Sequence, residues 1–434
     1  MLETSEANME LSIKNIGKIK EADVSISGIT VIAGENNTGK STVGKVLFSL
    51  ISSMYRLDQI IAEEKKQAIM NVAIDYNYQI KKIPEFELIN NEVFDISNLI
   101  TEKIYNIAAN KNEKQITKEI KDILIKYIQT DYDTALEQEI NKSVEAIYDI
   151  LKISNTEFIK ARLTKNFNKE FDRQINNIFS NKKGEIELKR KKNTIKIEFI
   201  DNKIHNIQAF KLLNDVVYID NPFLLDEIEY VNFAVRNYDL PHKLNLILQL
   251  RSKNETNTYE EILVEKKLKS ITDIINKISL GDLIKEGSYI QYKIKGLEQT
   301  LRVKNLSAGI KTFAILKQLI SNGVIRDGET IILDEPEIHL HPEWQLVFAE
   351  LIVLLQKNLN VHILLTTHSP YFLNAIEVFS KKHGIQDKCN YYIAVNHGHD
   401  AILENVNGNL ERIYSQLARP LQDLENEEYR YDDE

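Results

Sequence analysis

The chain has 434 residues and a formal net charge of −9, with 43% hydrophobic and 27% charged residues, ordinary values for a globular protein long enough for two or three domains. Its one cysteine, Cys389, excludes an intramolecular disulfide framework and a Cys-rich zinc site, and no apolar run nears the roughly 18 residues of a membrane span. The polar start, with Glu3 and Glu6, does not read as a signal peptide, so a cytoplasmic protein with no membrane partner is expected. The acidic balance gives no protein-wide field for nucleic acid, which leaves only local basic surfaces.

Residues 11–20 and 22–26 read as a strand pair turning at Gly17, and 30–33 as a short apolar strand. After a loop over 34–39, residues 40–53 have helical spacing through Val43, Val46, Leu47, Leu50 and Ile51. From about 55 to 180 the chain is rich in Lys, Glu, Ile and Asn, with no glycine and Pro84 its only proline. Helices are predicted near 57–80, 94–110, 114–153 and 156–179, without the sustained heptad of a long rod. Residues 184–199 alternate as a hairpin turning at Lys192-Asn193, and 216–219 form a buried strand. A helical segment over 224–280 precedes a hairpin over 289–303 with Gly296 at its turn. Helices at 308–322, 342–357 and 370–380 then alternate with strands at 329–333, 360–366 and 390–395, the rhythm of a parallel sheet covered by helices.

The predicted organisation is a split α/β core: 1–54, a mostly helical insertion over 55–215, a returning strand and second helical segment over 216–288, and a second core part over 289–400. A C-terminal segment over 401–434 ends in an acidic, disordered tail.

Gly34-Glu-Asn-Asn-Thr-Gly39-Lys40-Ser41 fits a phosphate loop between a buried strand and a helix. Its backbone N–H groups and the helix N-terminus favour phosphate, Lys40 reaches the outer phosphates, and the Ser41 hydroxyl ligates Mg²⁺. The apolar strand 330–333 ends in Asp334 and Glu335; Asp334 can hold the Mg²⁺ shell, and Glu335 can orient and deprotonate the attacking water. Ser307, ahead of Ala308-Gly309, is a helix N-cap. His368 closes the strand of Val361-His-Ile-Leu-Leu-Thr-Thr and can hydrogen-bond phosphate or water. His339 and His341 alternate with Ile338 and Leu340; loop packing or a contact in a dimer is expected of them before a metal pair.

Together these residues resemble the ABC-ATPase superfamily, in the branch holding SMC-like proteins, RecF and the OLD-type ATPases, over 11–54 and about 289–395. The resemblance implies an ABC-type P-loop ATPase head, a parallel sheet plus antiparallel N-terminal strands, with ATP and Mg²⁺ as cofactors. Gly34, Asn36, Asn37, Thr38, Gly39, Lys40, Ser41 and Thr42 are expected on the nucleotide, Ser41 and Asp334 on the metal, and Glu335 and His368 in catalysis. It also implies a homodimer or higher oligomer, in which Ser307 and Gly309 of one copy face the γ-phosphate held by the other. The string Pro336-Glu-Ile-His-Leu-His-Pro342 looks like the OLD and anti-phage branch, and the tail over 402–424 is similar to small stand-alone defence ATPases of the Septu type. Ala308 and Ile310 depart from the family pattern, and Asp220-Asn221-Pro222 is the candidate for its missing Q-loop glutamine.

The stretch after the last strand is too short for a Toprim nuclease domain, so a separately encoded effector, a nuclease, is expected; a RecF-like repair ATPase that binds DNA directly is the alternative. Lys182-Lys183 and Lys189-Arg190-Lys191-Lys192 are either a nucleic-acid contact or a solvated hairpin tip. His397-Gly-His-Asp400 reads as a polar turn.

Overall fold

A computed structural model describes residues 8–82, 93–107, 113–126, 134–212, 214–228, 241–253, 258–286 and 289–432. They form two compact units, one of residues up to 55 and from 162 onward, the other Arg56–Ala161.

In the first unit, β1 (Met9–Ile16) and β2 (Ile19–Ile26) bury alternate residues, as strands with one covered face do. β3 (Ile29–Gly34) is buried throughout, as a central parallel strand requires, and α1 (Lys40–Met54) follows. The second unit is a helical bundle of α2 (Leu57–Ile80), α3 (Val93–Tyr105), α4 (Glu113–Ile125) and α5 (Thr134–Lys152). Its core repeats at helical spacing through Ile69, Ala73, Tyr76 and Ile80, Ile96, Ile100 and Ile104, and Leu136, Ile140, Val144 and Ile147. The buried Asn77 amide is satisfied by the Ser97 hydroxyl at 2.8 Å.

After α6 (Asn155–Glu170) come β4 (Gly184–Arg190), β5 (Asn193–Ile200), β6 (Lys203–Gln208), β7 (Val216–Ile219), α7 (Leu224–Glu227), α8 (Pro241–Arg251) and α9 (Thr258–Ile278). Then follow β8 (Gly281–Glu286), β9 (Tyr289–Ile294), β10 (Thr300–Arg302), α10 (Ala308–Ser321), β11 (Thr330–Asp334) and α11 (Pro342–Leu359). The last elements are β12 (His362–Thr367), α12 (Pro370–Lys382), β13 (Cys389–His397), β14 (Asp400–Asn405) and α13 (Glu411–Asp432).

Among the described residues the main sheet is ordered β6-β5-β4-β1-β2-β14-β13-β3-β12-β11-β7, with a small sheet β10-β9-β8 beside it. The run from β13 to β7 is parallel, and the run from β6 to β2 antiparallel. β14 joins them, antiparallel to β13 and parallel to β2. The fold is therefore the expected α/β type, a parallel sheet extended by antiparallel strands, with a helical unit following α1. Among the described residues no helix is long and apolar enough to cross a membrane.

Several predicted boundaries are corrected. The helical insertion does not run to 215, because β4, β5 and β6 extend the main sheet through the β1–β4 pairing. The helix predicted over 156–179 stops at Glu170, where Asp172 and Arg173 take left-handed φ of 46° and 64° and the Asn202 side chain accepts the Ile175 and Asn176 N–H groups. The helix predicted over 114–153 is α4 and α5, with 127–133 outside the described residues, as are 108–110, 229–240 and 254–257 of the other helical predictions. The hairpin turns one residue earlier than predicted, with Lys191 at φ 55°. The acidic tail is helical as far as Asp432.

Candidate functional site

The parallel arrangement sets the C-terminal ends of β3, β11 and β12 side by side, where open α/β sheets hold their ligands. β3 leads into the phosphate loop. Gly34 is required there by close approach, since a Cβ would lie 2.6 Å from the Ala394 carbonyl oxygen. Gly39, at φ 81°, N-caps α1 and sets the helix's first-turn N–H groups, which lack an intrahelical i−4 partner, beside the loop. Thr38 closes the loop by donating to the Glu35 carbonyl at 2.8 Å, and Asn36 and Asn37 are exposed. Thr42 donates its N–H to the Gly39 carbonyl at 3.1 Å.

Lys40 is 4% exposed. Its ammonium donates to the Gly34 carbonyl at 3.0 Å and the Glu35 carbonyl at 2.8 Å and pairs with Glu335 Oε1 at 3.3 Å. Ser41 Oγ donates to Asp334 Oδ1 at 3.1 Å. Glu335 takes φ 50°, a left-handed turn that costs a non-glycine residue about 1–2 kcal/mol. Its N–H is held by the Thr366 carbonyl at 3.2 Å and the Thr366 hydroxyl at 3.1 Å, so the strand neighbour fixes the strained residue. His368 Nδ1 lies 3.5 Å from Glu335 Oε2. Lys40, Glu335 and His368 thus form one charged group and Ser41 and Asp334 a hydrogen-bonded pair beside it, the two joined through the Thr366 hydroxyl.

Ser307 and Gly309 join none of these hydrogen bonds. Ser307 caps α10 by accepting the Ile310 N–H at 3.4 Å, and a Cβ on Gly309 would meet the Trp344 ring at 2.7 Å. Trp344 is also set edge-on to Phe313, centroids 5.9 Å apart, so it has little room to yield. Gly309→Ala is expected to destabilise the fold by about 1–3 kcal/mol through overpacking, read as a lowered thermal midpoint. An unchanged midpoint would mean that Trp344 is free to move.

Other groups at the site were not assigned from sequence. The Thr366 hydroxyl hydrogen-bonds Asp334 Oδ1, and the Tyr218 hydroxyl donates to Asp334 Oδ2 at 3.1 Å. Hydroxyls in otherwise aliphatic strands were the available signal for both. Glu337, 2% exposed, accepts from the Thr367 hydroxyl through Oε1, and Thr367 Oγ1 in turn accepts the Ser369 N–H at 3.0 Å. This chain of bonds braces the turn that carries His368.

Glu337 Oε2 is buried without a hydrogen-bond partner, and burial holds the carboxyl above its ordinary range. Because the folded protein keeps the proton longer, Glu337 stabilises most below its ordinary pKa of 4.5 and loses that contribution as pH rises. Glu337→Gln is therefore expected to raise stability at neutral pH by about 1 kcal/mol, with no gain in acid. Urea unfolding at both pH values measures this; a loss at neutral pH would show a paired, charged Glu337.

Several of the other histidines and basic residues singled out in the sequence have local partners. His339 meets Phe223 edge-on at 5.3 Å, whereas His341 accepts the Glu343 N–H at 3.4 Å to cap α11. His399 stacks on Phe179, and Asp400 accepts from Asn177 at 2.8 Å. In the basic hairpin, Lys183 pairs with Glu185 and Glu198, and Lys189 with Glu187, which lowers its attraction for a phosphate backbone. Asp220, the Q-loop candidate, is bonded to His242 Nε2 at 3.1 Å.

A buried lysine on a phosphate loop, facing an Asp-Glu pair at a strand end, defines an ATPase core, and the chain belongs to the AAA ATPase domain family, whose match covers residues 9–373. Among individual proteins it is similar to Endonuclease GajA of Bacillus cereus (strain HuB5-5), with 24% identity over 411 residues. That match takes in 86% of this chain but only 57% of the relative, so the chain spans little more than half of that protein's length. Similar solved structures include the SMC head domain from Thermotoga maritima (10% identity, 92% of this chain and 98% of that one, TM-score 0.37). Another is the Smc head domain with an extended coiled coil bound to the C-terminal domain of ScpA from Pyrococcus furiosus (12%, 96% and 98%, 0.38). Likenesses this loose assign neither ligand nor partner to this chain.

Proposed function

We propose that this chain is an ATP-hydrolysing switch that dimerises around nucleotide and regulates a separately encoded effector, a nuclease, in bacterial anti-phage defence. The observation that carries the reading is the division of the site. Five reactive residues gather in two groups, Lys40–Glu335–His368 and Ser41–Asp334, joined through the Thr366 hydroxyl, while at the N-terminus of α10 Ser307 accepts the Ile310 N–H and Gly309 lies against the Trp344 ring. A helix N-terminus with a hydroxyl is an anion site seeking a ligand, and a second copy of the chain would bring one.

The donor set fits the expected groups. Ser41 and Asp334 offer the hard oxygens that magnesium selects and would hold the ion, which supplies charge neutralisation on the phosphates. Lys40 would exchange its carbonyl and carboxylate partners for phosphate oxygens. Glu335, between Lys40 and His368, orients water and takes its proton. His368, 42% exposed, is open enough to meet a phosphate. The effector class is supported by the endonuclease name of the longer relative, and the defence role by the string after Glu335 and the tail.

Sedimentation of the purified chain with and without ATP and Mg²⁺, followed by DNA cleavage assays with its co-expressed gene neighbours, tests the proposal. An ATP-dependent dimer and ATP-responsive cleavage are expected. A monomer under both conditions removes the switch, and DNA-stimulated turnover by the isolated chain favours a RecF-like repair role.

A further inference from the structure

Asp334 is gripped from three directions, and one grip leads into a polar cluster that the phosphate chemistry does not use. Oδ1 accepts from Ser41 and Thr366, whereas Oδ2 accepts from the Tyr218 hydroxyl. Tyr218 is 1% exposed, and its ring stacks on the His242 imidazole with centroids 4.6 Å apart and planes 28° apart. His242 is equally buried, and each ring nitrogen meets a carboxylate: Nδ1 lies 2.7 Å from Glu170 Oε2, and Nε2 3.1 Å from Asp220 Oδ2. Two carboxylate acceptors call for two N–H donors, an arrangement that favours the imidazolium form of the ring. The His242 backbone N–H also donates to Glu170 Oε1 at 2.8 Å, and the ring cannot turn without breaking both ends.

Gly44 completes the arrangement. It lies on α1, the helix that carries Lys40 and Ser41, and a Cβ there would come within 3.1 Å of both the Tyr218 hydroxyl and Ile332. Glycine thus leaves space for the phenol to lie against the nucleotide-binding helix.

We propose that Tyr218 is a positioning residue of the hydrolytic site: its hydroxyl fixes the orientation of Asp334, and His242, pinned between Glu170 and Asp220, fixes the Tyr218 ring. The inference rests on the reading of Ser41 and Asp334 as the cation ligands. A carboxylate held at one oxygen by the scaffold presents the other, shared with Ser41 and Thr366, without a search over rotamers. Carboxylate ligands oriented in this way typically lose about 10–100-fold in metal affinity or activity when the outer partner is removed.

The test uses Mn²⁺, a paramagnetic stand-in for magnesium, titrated by electron paramagnetic resonance against the full chain with ADP. Tyr218→Phe keeps the stacked ring and removes only the hydroxyl. Its Mn²⁺ affinity and kcat are each expected to fall about 10-fold, while ATP affinity without metal is unchanged. Wild-type Mn²⁺ affinity and turnover in Tyr218→Phe overturn the proposal, since a tyrosine that merely fills the core would behave so. Gly44→Ala keeps the phenol but displaces its hydroxyl, and a smaller loss of the same kind is expected. Should Tyr218→Phe not fold, Gly44→Ala decides alone, and unaltered Mn²⁺ affinity overturns the proposal. If the wild-type chain holds no Mn²⁺–nucleotide at all, the ATPase reading falls and takes this inference with it. Normal wild-type binding with an indifferent Tyr218→Phe removes the inference alone.

Discussion

Glu335→Gln is expected to bind ATP as the wild type does and to turn it over roughly 10²–10⁴-fold more slowly, the usual worth of a general base. Glutamine keeps the side chain's shape and the backbone turn at φ 50° but cannot take a proton. The change also removes the ion pair with Lys40 at 3.3 Å, which frees the ammonium for phosphate, so nucleotide affinity should hold or rise. If the protein dimerises around ATP, the variant accumulates as the ATP-bound dimer. Phosphate release, nucleotide binding and sedimentation velocity measure the three effects. Turnover at the wild-type rate would remove Glu335 as the base. Sedimentation that ignores ATP would remove the nucleotide-gated dimer while leaving the base intact.

His242→Leu is expected to be strongly destabilising, costing about 3–5 kcal/mol. It strands Glu170 and Asp220 without the cation between them. Burial pulls the imidazole's pKa down, but the hydrogen bonds that its N–H groups donate to Asp220 and Glu170 outweigh it and hold the value above the ordinary 6.5. Burial likewise pushes Asp220 up, and the His242 hydrogen bond and charge reverse the sign to hold it below 3.8. His242 therefore contributes stability that is complete below pH 6.5 and is lost as pH rises through its folded-state value. Asp220 contributes above 3.8 and loses its share as pH falls through its lowered value. Denaturant unfolding from pH 5 to 9 should show wild-type stability falling on the alkaline side, with that slope reduced in His242→Leu. A leucine variant as stable as wild type at pH 6, or one with the same slope, would show that the imidazolium is not the cluster's keystone.

How far the sequence could be read depended on whether a signal was local. The phosphate loop, the strand ending in Asp334 and Glu335, and the strand before His368 each announce themselves within about ten residues, because backbone closure around phosphate and buried parallel strands demand particular neighbours. The cluster of Lys40, Ser41, Asp334, Glu335 and His368 was legible for that reason. Tyr218 and His242 were not, since a tyrosine in an aliphatic strand and a histidine at a helix start acquire meaning only when folding brings Asp334, Glu170 and Asp220 to them. The helix end at Glu170 was missed because the stop is a left-handed turn at Asp172 and Arg173, without the glycine or proline that usually marks one. β6 was missed because Ile204 and Ile207 are its only aliphatic residues, too few for a period to show. β14 is a local hairpin partner of β13 across Gly398 and His399, a turn the sequence shows, whereas its pairing with β2 is non-local and left no mark in the sequence.

That pairing has a consequence for how the protein is made. β2 and β3 follow one another directly in the chain, yet in the sheet β13 and β14 lie between them. With the nascent polypeptide leaving the ribosome at about 5–20 residues per second, the strands that fill the slot between these two early ones emerge on the order of tens of seconds after them. Over that interval two strand edges stand exposed, the condition under which partly folded chains aggregate or require a chaperone. The ATPase unit therefore matures last-in, centre-filled: its mid-sheet seam closes only when the segment around residues 389–405 has been synthesised. A nonsense mutation upstream of that segment should yield insoluble product, with no shortened but working ATPase.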